Sequence, residues 1–181
     1  MRARLASGNR HKLEELRRAL PGWSIELLER HDFPPEAGAS YVENARAKAL
    51  FGRAHAASDE WAIGEDSGIE AAGLGGRPGV ASARWAADGV TRLLEELDGT
   101  DDLRARYVCV IVAIGPGGEE RVAEGVLEGR ISSPPRGDGG FGYDPISVPR
   151  GEAGTVAELG DGWKTLNSHR ARAAAALAAA L

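Results

Sequence analysis

The chain has 181 residues, 43% of them hydrophobic and 27% charged, which is enough apolar mass for the core of one globular domain of ordinary size. The net charge of −5 excludes the large basic footprint that a DNA or RNA backbone requires, although a small local anion pocket is compatible with it. The single cysteine, Cys109, excludes an intramolecular disulfide framework and every multi-cysteine metal site, and it is typical of a reducing compartment.

The chain shows no internal repeat and no long linker, so we expect a single domain over residues 1–181. Two lobes would also fit this length, and a cleft between them would be a natural ligand site. The start of the chain and the alanine-rich run at 173–181 are both too short in apolar residues for a signal peptide or a membrane span. We therefore expect a soluble, cytoplasmic protein without a membrane partner.

The first third of the chain predicts a strand, a turn and two helices. A short strand at 2–6 runs into Ser7-Gly8-Asn9, and leucines then repeat with the period of an amphipathic helix. Ser40 and Glu43 have the spacing of a capping box, so a second helix is expected over the alanine-rich stretch 45–57.

The middle of the chain predicts the centre of a sheet. Residues 61–63 are typical of a short buried strand that ends at the acidic turn 64–68, and residues 91–97 of a third helix. The run 107–114 is apolar on both faces, as in a central strand, and a glycine-rich turn leads from it to a hairpin partner at 121–127. These elements indicate an α/β fold with a mixed central sheet and flanking helices.

The last third predicts an ordered loop and then a helix. Between residues 132 and 149, the stretch 134–145 holds too many glycines and prolines for regular structure, and ordered loops of this kind usually bind something. Asn167-Ser168 can cap a terminal helix that begins near His169.

Ser7-Gly8-Asn9 followed by Lys12 has the parts of a phosphate site. Gly8 lets the backbone approach a ligand, the helix N-terminus offers N–H groups, and Lys12 adds a positive charge. The same residues fit a purely structural interpretation, in which Asn9 caps the helix and Lys12 is solvated. The full P-loop pattern GxxxxGK[ST] is absent, so this is not a Walker site.

Glu43, Glu65 and Asp66 supply three carboxylates, the oxygen ligands that Mg²⁺ prefers when it also bridges the phosphates of a nucleotide. The alternative assigns Glu43 to its own capping box and makes 64–68 an ordinary acidic turn. The same lone pairs of Glu43 cannot fill both roles.

The stretch 137–142 fits G-x-G-x-x-G, but it follows Pro134-Pro135 rather than a strand and no helix comes after it, so we reject a dinucleotide site. Phe141 and Tyr143 could stack on a base while Asp144 accepts a hydrogen bond from it, or both rings could pack as core beneath the loop.

Lys164, Ser168, His169 and Arg170 cluster at the start of the last helix, where positive charge opposes the helix dipole. This conflict indicates either a compensating ligand or a solvated helix end. His11, His31 and His55 lack any metal-ligand spacing.

Each of these features is weak alone, but seven occur in order along nearly the whole chain. They are SGNxxK from Ser7, YVENAxxKA from Tyr41, EDSGIE from Glu65, LGGxPGxxSAR from Leu74, GFGYDP from Gly140, TxAEL from Thr155 and KxxxSHR from Lys164. The set closely resembles the inosine/xanthosine triphosphate pyrophosphatase family. The resemblance implies two lobes with the nucleotide in a cleft between them, a homodimer, and Mg²⁺-dependent hydrolysis of deaminated purine nucleoside triphosphates (ITP, dITP and XTP) to monophosphate and pyrophosphate, which cleanses the nucleotide pool.

The resemblance also implies roles for individual residues. Glu43 and Asp66 would hold the metal, Asp66 would accept the proton, and Lys12 would stabilise the departing pyrophosphate. The expected triphosphate contacts are Ser7, Gly8, Asn9, Arg10, His11 and Lys12. Ser67 would touch the substrate. The expected contacts to the nucleoside, chiefly to its base, are Phe141, Gly142, Tyr143, Asp144, Lys164, His169 and Arg170.

The sequence departs from the family pattern in a few places. Ser7 stands where the family commonly has threonine. Glu65 stands where bacterial members usually have the first of two aspartates, and Ser147 stands where an aromatic residue often follows Pro-Ile. Glu65 adds a methylene that can shift the metal geometry, whereas Asp66 is intact. The compact turn at 115–120 bears on the dimer rather than on the chemistry.

Base selectivity is expected from donors aimed at a 6-keto oxygen, since the 6-amino group of adenine would leave such donors unpaired. His169 or Arg170 is the hypothesised donor, and the sequence does not indicate how GTP is excluded. Two other classes stay open: a Maf-type pyrophosphatase, whose basic-serine motif is missing after the first strand, and a non-catalytic nucleotide-binding module.

Overall fold

The computed structural model describes residues 1–181, which form one six-stranded sheet with five α-helices. The strands are β1 (Arg2–Leu5), β2 (Ser24–Leu27), β3 (Trp61–Ala71), β4 (Arg104–Ile114), β5 (Glu120–Ile131) and β6 (Ser147–Pro149). The helices are α1 (Arg10–Ala19), α2 (Tyr41–His55), α3 (Gly89–Glu96), α4 (Val156–Asn167) and α5 (His169–Ala179). The strand order is β2-β1-β3-β4-β5-β6, with β1 parallel to β2 and β3 and with β6 antiparallel to β5. The expected mixed α/β sheet is confirmed.

The chain divides into two compact units, and three strands contribute residues to both. The first unit comprises Met1–Asp66, Cys109–Gly125 and His169–Leu181. Its core combines the leucines of α1, which contacts α5, with β1, β2 and the first half of β3. Leu16 and Leu177 are both fully buried there, as the predicted apolar stripe of α1 and the alanine-rich face of α5 require.

The second unit comprises Ser67–Val108 and Val126–Ser168. Its core is formed by the second half of β3, the start of β4, the end of β5 and the inward residues of α3. Helix α4 contacts β6 and the 3₁₀ turn Asp144–Ile146. The glycine-rich loop of residues 132–145 belongs to this unit, and the turn and strand that follow it pack against α4.

Strand β1, helices α1, α2 and α3, strand β4 and its hairpin partner β5 all lie where the sequence predicts them, within a few residues at each end. The sequence features that predict these elements are local ones. Asn9, Ser40 and Asp88 each cap the following helix through a side-chain oxygen, and β4 is buried on both faces from Tyr107 to Ile114.

The predicted acidic turn at 64–68 is wrong, because β3 continues through it to Ala71. Gly64 is required by packing rather than by a turn: a Cβ there would collide with the Ala45 carbonyl oxygen and lie 2.5 Å from Ala49 N. The glycine lets α2 approach the strand closely. Glu65 and Asp66 consequently project from the middle of a strand.

Strands β2 and β6 and helix α4 have no counterpart among the predicted elements. Helix α4 begins with a complete capping box, Thr155 to Glu158, and is interrupted at Gly160, whose φ is 75°. None of the five helices combines the length and the apolar character that crossing a membrane requires.

Candidate active site

The turn between β1 and α1 is organised by its own side chains. Ser7 Oγ accepts a hydrogen bond from Asn9 N at 3.1 Å, and Asn9 Oδ1 accepts one from Lys12 N at 3.2 Å. No atom lies within 4 Å of the position that a Cβ on Gly8 would take. The structural role predicted for Asn9 is confirmed, and this open helix N-terminus is also the kind of place where an anion binds.

Lys12 belongs to a row of alternating charges in the interior of the first unit. Its Nζ lies 2.6 Å from Glu65 Oε2, and Arg170 Nη2 lies 2.9 Å from Glu65 Oε1. Arg170, only 1% exposed, also pairs with Glu15 of α1. The row Glu15–Arg170–Glu65–Lys12 thus connects α1, β3 and α5.

This row determines the protonation of the groups within it. Burial works against the charge of Glu65, but Arg170 and Lys12 outweigh it and hold the pKa of that carboxyl well below its usual range. Cys109 donates from Sγ to Glu65 Oε1 at 3.3 Å, and burial raises the pKa of the thiol well above its ordinary value. Cys109 is therefore a buried core residue whose thiol stays protonated.

Asp66 is 2% exposed and is held by two donors from α2. Asn44 Nδ2 donates to Oδ2 at 3.0 Å, and Lys48 Nζ donates to Oδ1 at 3.1 Å. Burial raises the pKa of Asp66 above its ordinary value of 3.8, and nearby Glu36 adds to this, whereas Lys48 and Asn44 act in the opposite direction. A carboxylate with a raised pKa is suited to accepting a proton.

Lys48 joins Asp66 to a second carboxylate that sequence reasoning missed. Its ammonium also contacts the Glu36 carboxylate and the Glu65 carbonyl oxygen. Burial alone would lower the pKa of Lys48, but Asp66 and Glu36 raise it. Glu36 lies in the loop before α2, and only the fold brings it to Asp66.

Glu43, the metal ligand expected beside Asp66, is used at the start of its own helix. Its Oε2 accepts a hydrogen bond from Ala39 N at 2.7 Å, and its backbone N donates to Ser40 Oγ at 3.3 Å. The capping interaction therefore exists, with the carboxylate bonded one residue earlier than in a standard box. The contacts of Asp66 involve Glu36, through Lys48, rather than Glu43.

The donor chemistry around Lys48 fits a divalent cation. Glu36 and Asp66 are two carboxylates that both contact the Lys48 ammonium, and burial, with a smaller contribution from Glu36, raises the pKa of Asp66. No group of three or more His, Cys, Asp or Glu side chains is arranged to hold a metal ion. Two carboxylates suit Mg²⁺, which binds one or two of them together with water and substrate phosphates.

A second cluster, in the second unit, surrounds Asp144. Lys164 Nζ and Phe141 N donate to its Oδ2 at 2.7 and 3.0 Å, and Tyr107 Oη donates to its Oδ1 at 3.1 Å. Lys164 Nζ also lies 4.9 Å from the centroid of the Phe141 ring. Asp144, Lys164 and Tyr107 are all buried. We call Tyr107, Phe141, Asp144 and Lys164 the Asp144 cluster.

The rest of the loop is fixed by packing. Tyr143 is buried and donates from Oη to the Ser82 carbonyl oxygen at 3.0 Å, so its ring is core, as the structural alternative predicted. Phe141 is partly exposed, and Gly142 has a φ of 61°, in the region that favours glycine. Ser67 is partly exposed and immediately follows Asp66 in β3.

The predicted site residues fall into two groups, one in each unit. The first unit contains Ser7, Gly8, Asn9, Arg10, His11, Lys12, Glu43, Asp66, His169 and Arg170, and the second contains Ser67, Phe141, Gly142, Tyr143, Asp144 and Lys164. Contacts join Lys12 to Arg170 through Glu65, and Phe141 to Lys164 through Asp144. His169 is buried beside Arg170 at the start of α5.

Sequence reasoning left five contributors to these clusters without a role: Glu15, Glu36, Asn44, Lys48 and Tyr107. A signal existed for two of them, because Asn44 and Lys48 are four residues apart on a helix whose neighbouring inward positions are alanine. Polar side chains on the buried face of a helix indicate a buried partner. Glu36 had no such signal.

The buried Asp66 carboxylate beside Lys48, on a mixed α/β sheet that also carries the open N-terminus of α1, is typical of an enzyme site for an anionic substrate. Comparison with known proteins makes this specific. The model of the Ham1 family matches residues 3–180, so the chain belongs to the Ham1 family.

Curated relatives cover nearly the whole chain. A protein of Bdellovibrio bacteriovorus named dITP/XTP pyrophosphatase is 40% identical over 185 residues, which is 93% of this chain and 92% of that protein. One of Gloeobacter violaceus with the same name is 43% identical over 174 residues, covering 93% and 88% of the two chains.

Solved structures agree with the fold. The Ham1 protein of Staphylococcus aureus superposes with a TM-score of 0.85 at 34% identity, covering 99% of this chain and 97% of that one. A Mycobacterium abscessus structure, described as a nucleoside-triphosphatase or dITP/XTP pyrophosphatase, gives a TM-score of 0.75 at 38% identity and covers 100% and 98%.

Proposed function

We propose that this chain hydrolyses deaminated purine nucleoside triphosphates (ITP, dITP and XTP) to the monophosphate and pyrophosphate, with Mg²⁺ as cofactor. The observation that carries the proposal is the buried Asp66 carboxylate, which accepts hydrogen bonds from Asn44 and Lys48. The relatives named dITP/XTP pyrophosphatase support the substrate class.

In the proposed reaction, a water molecule attacks the α-phosphorus and its proton passes to Asp66. The bond between the α-phosphorus and the bridging oxygen breaks, and pyrophosphate leaves with that oxygen. Lys12 contributes positive charge toward the leaving group while Glu65 holds its ammonium. The turn of Ser7, Gly8, Asn9, Arg10 and His11 offers backbone N–H groups to the phosphates.

We propose Asp66 and Glu36 as the protein ligands of the cation, because both carboxylates meet at Lys48. When bound, Mg²⁺ would neutralise phosphate charge and lower the pKa of the attacking water. Glu43, the ligand proposed from the family resemblance, shares its carboxylate with the Ala39 N–H.

Glu36→Gln and Glu43→Gln form a matched pair that tests the ligand assignment. We expect Glu36→Gln to raise the Mg²⁺ concentration for half-maximal rate much more than Glu43→Gln does, since an amide is a poorer ligand than a carboxylate. Magnesium titrations of the hydrolysis rate measure both values. The reverse ranking would restore Glu43 as the ligand.

We propose that the Asp144 cluster contributes donors for base recognition, with His169 and Arg170 as further candidates. The guanidinium of Arg170 already donates to Glu15 and Glu65. Its first role is therefore to hold Glu65, and any contact to a base would come in addition. A His169→Ala and Arg170→Ala pair that retains the preference for ITP over ATP would remove both from base recognition.

One assay separates the candidate functions. The protein is incubated with ITP, dITP, XTP, GTP, ATP and modified pyrimidine triphosphates in the presence of Mg²⁺, and pyrophosphate and orthophosphate are measured separately. We expect pyrophosphate, chiefly from ITP, dITP and XTP. Orthophosphate release contradicts the proposal, a preference for modified pyrimidines indicates a Maf-type enzyme, and binding without turnover indicates a binding module.

The family resemblance also leads us to propose that the enzyme is a cytoplasmic homodimer. Light scattering on the purified protein tests the dimer: a mass near twice 19.0 kDa supports it, and a mass of one chain contradicts it.

A further inference from the structure

Tyr107 lies on β4, outside the glycine-rich loop and outside every motif that carries the family resemblance. Its side chain is buried, and its hydroxyl donates to Asp144 Oδ1. A buried tyrosine hydroxyl and a buried carboxylate have both lost their hydrogen bonds to water, so losing the hydrogen bond between them would leave two polar groups unpaired. What this hydroxyl controls depends on the other contacts of Asp144.

The two oxygens of Asp144 have different partners. Oδ2 receives Lys164 Nζ at 2.7 Å and Phe141 N at 3.0 Å, whereas Oδ1 receives the Tyr107 hydroxyl. Rotation of the carboxylate about its Cβ–Cγ bond moves both oxygens, so the two donors on Oδ2 and the one on Oδ1 restrain its plane together, and Tyr107 is the donor among them that comes from the sheet. Tyr107 therefore ties the carboxylate to β4, and through the carboxylate it helps to hold the Lys164 ammonium in place.

The surroundings leave little room for adjustment. A Cβ at Gly140 would collide with Asp144 Oδ2 and would lie 3.1 Å from Lys164 Nζ. The loop backbone thus wraps directly against the ion pair, and a shift of the carboxylate must move Lys164 or the backbone at Phe141. Tyr107, by contrast, stands on a strand whose residues from 107 to 114 are all buried.

We propose that Tyr107 is a positioning residue for base recognition: by fixing Asp144, it places the Lys164 ammonium and the Phe141 ring where a purine base is read. This inference rests on the proposed function, specifically on the assignment of the Asp144 cluster to the base. Tyr107 itself does not need to touch the substrate. The inference concerns selectivity and substrate affinity, whereas bond cleavage depends on the first unit.

Tyr107→Phe removes one oxygen atom and keeps the ring in its packed place. We expect KM for ITP to rise about tenfold, because the loss of one hydrogen bond to a charged group corresponds to a factor of about this size. We expect kcat to change less than about twofold. The ratio of kcat/KM for ITP to that for ATP falls in parallel. Thr165→Val is the control, because it removes a hydroxyl from α4 beside Lys164 that bonds only within its own helix, to the Asp161 carbonyl oxygen.

A double-mutant cycle tests whether Tyr107 acts through Asp144. In an Asp144→Asn background, adding Tyr107→Phe is expected to change the ITP-to-ATP ratio by less than about twofold, since residues that act through one another are not additive. A full additional loss in that background contradicts the inference. So does a Tyr107→Phe variant that loses kcat on all substrates equally, or one that keeps the wild-type ratio.

The wild-type measurement separates this inference from the function on which it rests. A wild-type protein without preference for ITP over ATP overturns the proposed function, and the inference with it. A wild-type preference that Tyr107→Phe leaves intact overturns the inference alone. Thermal unfolding of each variant confirms that the kinetic comparison is made on folded protein.

Discussion

At the scale of single residues, neighbouring carboxylates in β3 experience opposite environments. Glu65 faces two cations and its pKa is depressed, whereas Asp66 faces an amide, a shared ammonium and a second carboxylate, and its pKa is raised. Adjacent positions on a strand project to opposite faces, so one sequence step separates a permanently charged group from one that can take a proton. This division suits Glu65 to holding Lys12 and Asp66 to chemistry.

Asp66→Asn should separate activity from stability. We expect the rate of ITP hydrolysis to fall by about 10²–10⁴, the contribution of a general base. The melting temperature should fall only modestly, because burial already raises the pKa of Asp66 and so disfavours the ionised carboxylate, while the new amide replaces one oxygen that accepts from Asn44 or Lys48. Steady-state kinetics and thermal unfolding of the same preparation measure both. Near-normal turnover would exclude Asp66 as the base.

At the scale of elements, helix N-termini position most of the candidate residues. Asn9 caps the helix that carries Lys12, Ser40 caps the one that carries Asn44 and Lys48, and Thr155 caps α4. A capped first turn fixes the helix start, and the side chains one to three turns later inherit that position.

Thr155→Ala should destabilise the protein by about 1–2 kcal/mol, the upper range for losing an N-cap. Thr155 is fully buried, and its Oγ1 both accepts from Glu158 N and donates to the Arg136 carbonyl oxygen. The shift of the urea midpoint at constant slope measures the loss. Thr155→Ser keeps the hydroxyl and should recover most of it; equal losses in both variants would show that the methyl group matters instead.

The elements that sequence reasoning recovered are those whose signals are local. Leucine spacing and the Asn9 cap indicated α1, and an unbroken apolar run indicated β4. Strand β3 was cut short because Gly64 resembles a breaker until the packing of α2 against it is known. Polar residues in a strand also look like a turn until their buried partners, such as Lys12 and Lys48, are in place.

The candidate site follows the same rule: residues with a local signal in the sequence could be predicted, and residues placed by distant contacts could not. Asp66, Lys12 and Lys164 were named as candidates because their residue types lie in recognisable motifs. Glu36 and Tyr107 were not, since each acquires its partner only through contacts distant in sequence, 12 residues for Glu36 with Lys48 and 37 for Tyr107 with Asp144. A single sequence carries no local trace of such pairs.

At the scale of the whole molecule, stability should depend on pH through Glu65. Its folded pKa lies well below the ordinary value of 4.5, so unfolding allows the carboxylate to take up a proton in the acid range. The stability from this group is fully present above about pH 4.5 and is lost as the pH falls toward the folded pKa. Asp66 has the opposite sign, because its folded pKa is raised.

Glu65→Gln tests this linkage. At neutral pH the variant should lose about 3–5 kcal/mol, because Arg170 and Lys12 lose a buried partner. Below pH 4.5 the difference from wild type should shrink, since Glu65 is protonated in the unfolded wild-type chain and this lowers the free energy of unfolding. Thermal unfolding across a pH series follows both proteins, with Glu65→Asp as the charge-preserving control. A difference independent of pH would contradict the linkage.

The three strands shared by the two units have a consequence for how this protein can be altered. Each unit is assembled from separate stretches of chain, and the polypeptide passes between them at Asp66–Ser67, Val108–Cys109, Gly125–Val126 and Ser168–His169. Neither half can be excised or transplanted as a continuous fragment, and a protease cut at the first three crossings would sever a strand. Gene fusion or domain exchange must therefore take the chain whole, and new sequence is best tolerated at the exposed hairpin tip of residues 116–118.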